Sequence, residues 1–158
     1  PGTTDAKTIE PDEDYIIPLG KANIVQKADA KLIEAAESAV IITYGMGVYW
    51  AKNAAKQFPG QIEIVDLRTL APLDEEAIFA SVKKHNKCIV LTEEPYNNSF
   101  AQAIAGRIQQ QCFMHLDAPV KVVGAENMPA IPLNSTLEAT MLPNVTKVEA
   151  ALRELLAY

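Results

Sequence analysis

Short apolar runs that alternate with amphipathic segments constrain this chain more than any other feature. Ala39-Val40-Ile41-Ile42-Thr43, Gln61 to Val65 and Cys88-Ile89-Val90-Leu91-Thr92 are rich in β-branched residues and suit strands buried in the interior of a sheet. Between the first two, Val48, Ala51, Ala54, Ala55 and Phe58 recur on one helical face, and Pro59-Gly60 ends that helix. Glu75 to His85 fills the second interval with another helix. Connections this short leave consecutive strands one economical arrangement, a parallel sheet with crossover helices on its faces.

The pattern continues on both sides. Phe100, Ile104, Ile108 and Phe113 mark a further helix, and Val120-Lys121-Val122-Val123 a fifth strand. Val145, Val148, Ala151, Leu152 and Leu155 mark a terminal amphipathic helix. Upstream, Asp29 to Ser38 carries a short helical turn. Tyr15-Ile16-Ile17-Pro18-Leu19 and then Ala22-Asn23-Ile24-Val25 read as an extended first strand interrupted at Gly20, with Pro18 suited to a sheet edge. Residues 1–14 are polar, acidic and aperiodic, and read as a linker entering a domain that runs from 15 to 158.

A chain of 158 residues, nearly half of them apolar, suits one globular domain. The net charge of −6 argues against nucleic acid or an anionic membrane as partner, because phosphates and acidic headgroups would repel it. Proteins and small molecules are the expected partners. Cys88 and Cys112 lack metal-ligand spacing and read as reduced thiols. No stretch has the length of about 20 apolar residues that crosses a bilayer, and no signal segment opens the chain, so a soluble, cytoplasmic protein is expected. Its start at Pro1-Gly2, without methionine, suits a processed product or a fragment of something larger.

The most specific local pattern is the corner Asp66-Leu67-Arg68-Thr69-Leu70-Ala71-Pro72-Leu73-Asp74. Asp74 is placed to accept the free amide hydrogens of the helix beginning Glu75-Glu76, and Pro72 holds the chain out of helix until then. Arg68 can bridge Asp66 or Asp74, or reach a carboxylate on a neighbour; a substrate-binding arginine ranks below both.

Candidate sites fare less well. Gly45-Met46-Gly47, between a strand and a helix, with Asp66 about 20 residues on, has the outline of a dinucleotide loop, but the bulk of Trp50 at the third glycine position favours a plain tight turn. His85 and His115 have no ligand at metal spacing and suit surface or helix-end positions. Cys88, embedded in an apolar strand, reads as core, where burial raises its pKa and leaves it unreactive. Glu93-Glu94 lies just past a strand's carboxyl end, where ligands of α/β sheets gather, yet no nucleophile, histidine or glycine cradle converges on it. Hydrogen bonding in a domain contact is the favoured role. On its residues alone the chain reads as a docking or assembly unit without an active site of its own.

Ile17-Pro18-Leu19-Gly20-Lys21-Ala22, Thr43-Tyr44-Gly45, the Asp66 to Asp74 corner and Leu116-Asp117-Ala118-Pro119 carry a family likeness. Together they resemble the C-terminal domain of the β part of 2-oxoacid dehydrogenase E1 components, within the transketolase C-terminal superfamily. The likeness runs from Tyr15 to Tyr158, and Cys112 to Pro119 is most similar to the branched-chain, or 2-oxoisovalerate, members. Leu137-Glu138 and Leu142-Pro143 also fit.

The resemblance implies a three-layer α/β/α sandwich around a five-stranded mixed sheet, four strands parallel and the first antiparallel. It implies that the complete enzyme decarboxylates a branched-chain 2-oxo acid or pyruvate with thiamine diphosphate and a divalent metal such as Mg, and passes the acyl group to an E2 transacylase. The cofactor would sit between domains outside this chain, leaving no catalytic, cofactor or metal residue here. This domain would join E1 subunits into an oligomer and dock the basic E2 subunit-binding domain, with Asp117 and the carboxylate of Tyr158 as the docking residues. The acidic balance suits such a partner. The chain departs from the family pattern at Ser99, Ala101 and Ala103, where glycines and a glutamate are usual, and Lys27 to Ser38 is longer than the usual turn. Two other readings use the same fold. One is a free-standing small-molecule module built on the strand ends around Gly45, Asp66 and Glu93. The other is a transketolase or deoxyxylulose-phosphate synthase relative, which would need basic residues for phosphate where this chain has no cluster.

Overall fold

The structure, a computed structural model, describes residues 14–158. The linker expected over 1–14 lies outside them except for Asp14. The elements follow in the order β1 (Asn23–Gln26), α1 (Ala30–Glu34), β2 (Ala39–Thr43), α2 (Gly47–Ala55), β3 (Ile62–Asp66), α3 (Glu75–His85), β4 (Cys88–Pro95) and α4 (Phe100–Cys112). A 3-10 turn at Phe113–His115 then leads to β5 (Lys121–Ala125), α5 (Ser135–Met141) and α6 (Val145–Leu156).

The five strands lie in the order β1-β3-β2-β4-β5. β1 runs antiparallel to β3, and the other pairs are parallel, as the resemblance implied. β2 is central, and all five of its residues are buried, which is why its sequence shows no alternation. One face of the sheet packs against α2 and α6 through Ala51, Ala54, Phe58, Val148, Leu152 and Leu155. The other packs against α3 and α4 through Ile78, Val82, Ile104 and Ile108. The result is three layers with an apolar core on each side of the sheet.

The sequence reading needs correction in four places. The first strand begins at Asn23: Tyr15 to Leu19 is irregular, with Ile16 and Leu19 among the most exposed apolar side chains, so Pro18 precedes the edge strand instead of lying in it. The fourth strand runs on to Pro95, and Tyr96 still donates its amide to Ala125 at 2.9 Å. Phe100 and Phe113 are exposed, so the buried stripe of α4 is Ala101, Ile104, Ala105, Ile108 and Cys112. A helix absent from the sequence reading, α5, is capped by Asn134, whose side chain accepts the amides of Thr136 and Leu137.

The turn between β2 and α2 shows why glycine is required at Gly47. A Cβ there would lie 2.0 Å from Thr43 Oγ1, which is itself committed to the Leu91 carbonyl at 2.9 Å. Gly45, with φ of +57°, supplies the left-handed step of the same turn.

Candidate functional site

The Asp66 to Asp74 corner is an anchor for the entering chain. Asp74 caps α3 as expected, accepting the Ala77 amide at 3.2 Å, and its second oxygen accepts the amide of Ala22 at 2.9 Å. Thr69 Oγ1 accepts from Gly20 at 2.9 Å and donates to Pro72, which follows a cis peptide bond. Arg68 makes no ion pair with Asp66 or Asp74. Its backbone amide donates to Asp66 Oδ1 at 3.1 Å, and its exposed guanidinium lies 3.5 Å from the Tyr15 hydroxyl. Arg68 itself has a left-handed φ of +57°.

Strand alternation separates Glu93 from Glu94. Glu94 lies on the α4 side. Its Oε2 accepts the Phe100 amide at 3.0 Å, and its Oε1 accepts from the Tyr44 hydroxyl. Tyr44 also meets Thr92 Oγ1 at 2.9 Å. Burial, reinforced by the Glu94 carboxylate, pushes the Tyr44 phenol up to about 12. Glu94 is thus spent within the domain as a charged cap on α4, next to the Ser99 hydroxyl that accepts the Gln102 amide at 3.1 Å. That gives the departure at Ser99 a local role, and Ala101 a buried one.

Glu93, on the opposite side, lines a cleft of about 400 Å³ with Met46, Trp50, Glu138, Leu142 and Pro143. This cleft lies at the carboxyl ends of β2 and β4, where the connections diverge: β2 leads to β3 on one side and β4 to β5 on the other. Asp66, on β3, is not among its lining residues, so Gly45, Asp66 and Glu93 do not converge.

The expected docking residues lie at the other end of the sheet. Asp117 is exposed just before β5, its amide held by the Asn86 carbonyl at 2.9 Å. Phe113 and Met114 stand 65% and 88% exposed beside it, and Phe113 shares with Leu116, Asp117 and Pro119 a cleft of about 290 Å³. Lys121, which opens β5, pairs with Glu154, bringing the last turn of α6 and the exposed Tyr158 to this same end.

Sequence reasoning overlooked a buried polar chain that resembles a catalytic triad. Ser38 Oγ lies 2.7 Å from His85 Nδ1, and His85 Nε2 lies 3.3 Å from Glu63 Oε1. Ser38 and Glu63 are completely buried and His85 is 2% exposed, so no substrate reaches the hydroxyl. The chain joins the residue that precedes β2 to the end of α3 and to β3. His85 is a helix-end residue as expected, but buried. The available signal was Glu63 itself, an acid between Ile62 and Ile64 in an interior strand. Cys88 is fully buried and its thiol is pushed up by burial, as its apolar setting implied.

The model of the family "Transketolase, C-terminal domain" matches residues 28–148. The chain belongs to that family. As a transketolase C-terminal domain it is 36% identical over 151 residues to the 2-oxoisovalerate dehydrogenase subunit beta of Bacillus subtilis, which covers 94% of this chain and 44% of the relative. It is 35% identical to the subunit of the same name from Pseudomonas aeruginosa (92% and 39%). Against the pyruvate dehydrogenase E1 component subunit beta of Rhizobium meliloti it is 33% identical (89% and 29%). The chain therefore spans less than half the length of these curated relatives. A solved structure titled "Split gene transketolase, inactive beta4 tetramer" superposes with a TM-score of 0.71 at 17% identity, over 92% of this chain and 45% of that one, which supports the fold.

Proposed function

We propose that residues 15–158 form the C-terminal assembly and docking domain of the β part of a thiamine diphosphate-dependent 2-oxoacid dehydrogenase E1 component, working in the cytoplasm. The 36% identity to a 2-oxoisovalerate dehydrogenase β subunit, sustained across nearly the whole chain, carries the reading. The complete enzyme would decarboxylate a branched-chain 2-oxo acid or pyruvate oxidatively, and this domain would hold E1 subunits together.

The switch-point cleft does not suit thiamine diphosphate. The switch-point cleft is lined by two carboxylates and no lysine or arginine, a donor set that repels a diphosphate. Among the described residues no group of three or more His, Cys, Asp or Glu side chains is placed to hold a metal ion. We assign the cofactor to the other domains of the complete enzyme, as the resemblance implies.

Docking of a basic E2 subunit-binding domain is assigned to the end of the sheet that carries Asp117 and Tyr158. Exposed Phe113 and Met114 supply apolar contact there, and Asp117 a charge that fixes orientation. Asp117→Ala should weaken binding of the cognate E2 subunit-binding domain about tenfold in calorimetry at low salt. Unchanged affinity would remove the assignment.

A further inference from the structure

The switch-point cleft, at the carboxyl ends of β2 and β4, lies apart from Asp117 and its neighbours Phe113, Leu116 and Pro119. We infer that it binds a small organic cation, an ammonium group carried on a short apolar body. Its volume of about 400 Å³ lies in the range of small-ligand sites. One side is apolar, built from Met46 and Trp50 at the start of α2 and from Leu142 and Pro143 after α5. The other presents Glu93 and Glu138, and neither carboxylate has a hydrogen-bond or ion-pair partner among the described residues. The neighbouring Glu94 shows the contrast, since both of its oxygens are engaged with Tyr44 and α4.

No basic side chain lines the cleft, so an anion would meet only repulsion. Two carboxylates without a third ligand make a poor cage for a hard metal ion. An ammonium group suits both walls. Its charge is balanced by Glu93 and Glu138, the indole face of Trp50 attracts it through the ring quadrupole, and its carbon chain covers Leu142 and Pro143.

Trp50 is the sole tryptophan of the chain, so its emission reports directly on the cleft. The test is to titrate the protein at constant ionic strength with n-butylammonium, butyrate and n-butanol, molecules of one size and three charges. Butylammonium should change the emission saturably, with an apparent affinity at least tenfold tighter than either of the others. Glu93→Gln and Glu138→Gln should each weaken it about fivefold. Both substitutions leave the core and hydrogen bonds untouched, so the melting temperature should hold and serve as the folding control. Equal responses to the three compounds, absence of saturation, or unaltered affinity in both variants would overturn the assignment.

Discussion

His85 Nε2 faces Glu63 Oε1 at 3.3 Å, with both side chains wholly buried, and neither atom has any other partner among the described residues. Lys84 completes the arrangement, its ammonium 2.5 Å from the other Glu63 oxygen. Burial by itself would raise the Glu63 carboxyl, but the facing imidazole and the Lys84 ammonium outweigh it and hold the group at about 2, below its ordinary 4.5. A carboxyl depressed in the folded state contributes stability that is fully present above about 4.5 and is lost as pH falls toward 2. Glu63→Gln should cost about 2 kcal/mol at neutral pH, because it removes the charged partner of the half-exposed Lys84 and the carboxylate that faces buried His85. The gap between variant and parent should close as pH drops through that window. Urea unfolding at a series of pH values checks it, and a gap constant from neutral pH to pH 2 would reject the account.

Gly47 and Thr43 predict a different kind of coupling. Gly47→Ala forces a Cβ to within 2.0 Å of the Thr43 hydroxyl, and overpacking of this sort costs about 2 kcal/mol. Thr43→Ala removes the obstructing oxygen but also its hydrogen bond to Leu91, for about 1 kcal/mol. The double variant should therefore lose less than the two single losses combined, since the next obstacle, Leu91 Cγ, lies 3.4 Å away. Strict additivity in thermal unfolding would show that the clash is relieved elsewhere.

Much of the fold was legible because its strands are short, β-branched and separated by helices whose apolar faces repeat. The sequence places α3 to the residue: Asp74 announces its start, and in the structure a left-handed Asn86 follows its last residue, His85. The entry segment misled because Tyr15 to Leu19 has strand composition but no partner strand, and composition does not report pairing. α5 was missed because its seven residues bury little beyond Met141 and show no stripe. The candidate sites were less legible. Glu93 and Glu94 are adjacent in sequence but face opposite layers, and the neighbours that decide their surroundings, Trp50 on α2 and Tyr44 just after β2, are more than 40 residues away in sequence.

Asp74 should prove costlier to remove than an ordinary cap. Its two oxygens hold the Ala77 amide of α3 and the Ala22 amide of the entering chain, so Asp74→Ala leaves donors on two elements without their acceptor. A cap alone is worth about 1 kcal/mol, and the second bond brings the expected loss to about 2 kcal/mol. Hydrogen exchange separates the two contributions. Both amides should lose protection in the variant, and acceleration confined to Ala77 would reduce Asp74 to a simple cap.

The Tyr44 phenol offers a spectroscopic test of the Glu94 bracket. Its rise to about 12 comes first from burial and second from the hydrogen bond to Glu94, whose negative charge adds further. Glu94→Gln removes the charge but leaves the burial, so the phenol should titrate at lower pH than in the parent yet stay above 10, the ordinary value. A phenol raised in the folded state contributes stability present below about 10 that is lost as pH climbs toward 12, and the variant should lose it earlier. Ultraviolet titration of tyrosinate absorbance, with Tyr44→Phe to isolate the signal from the other tyrosines, reads the shift. The same substitution replaces a charged acceptor at the start of α4 with a neutral one, so the Phe100 amide should exchange faster. A phenol that titrates unchanged alongside a deprotected Phe100 would mean that Glu94 serves the helix alone, and that burial accounts for the whole behaviour of Tyr44.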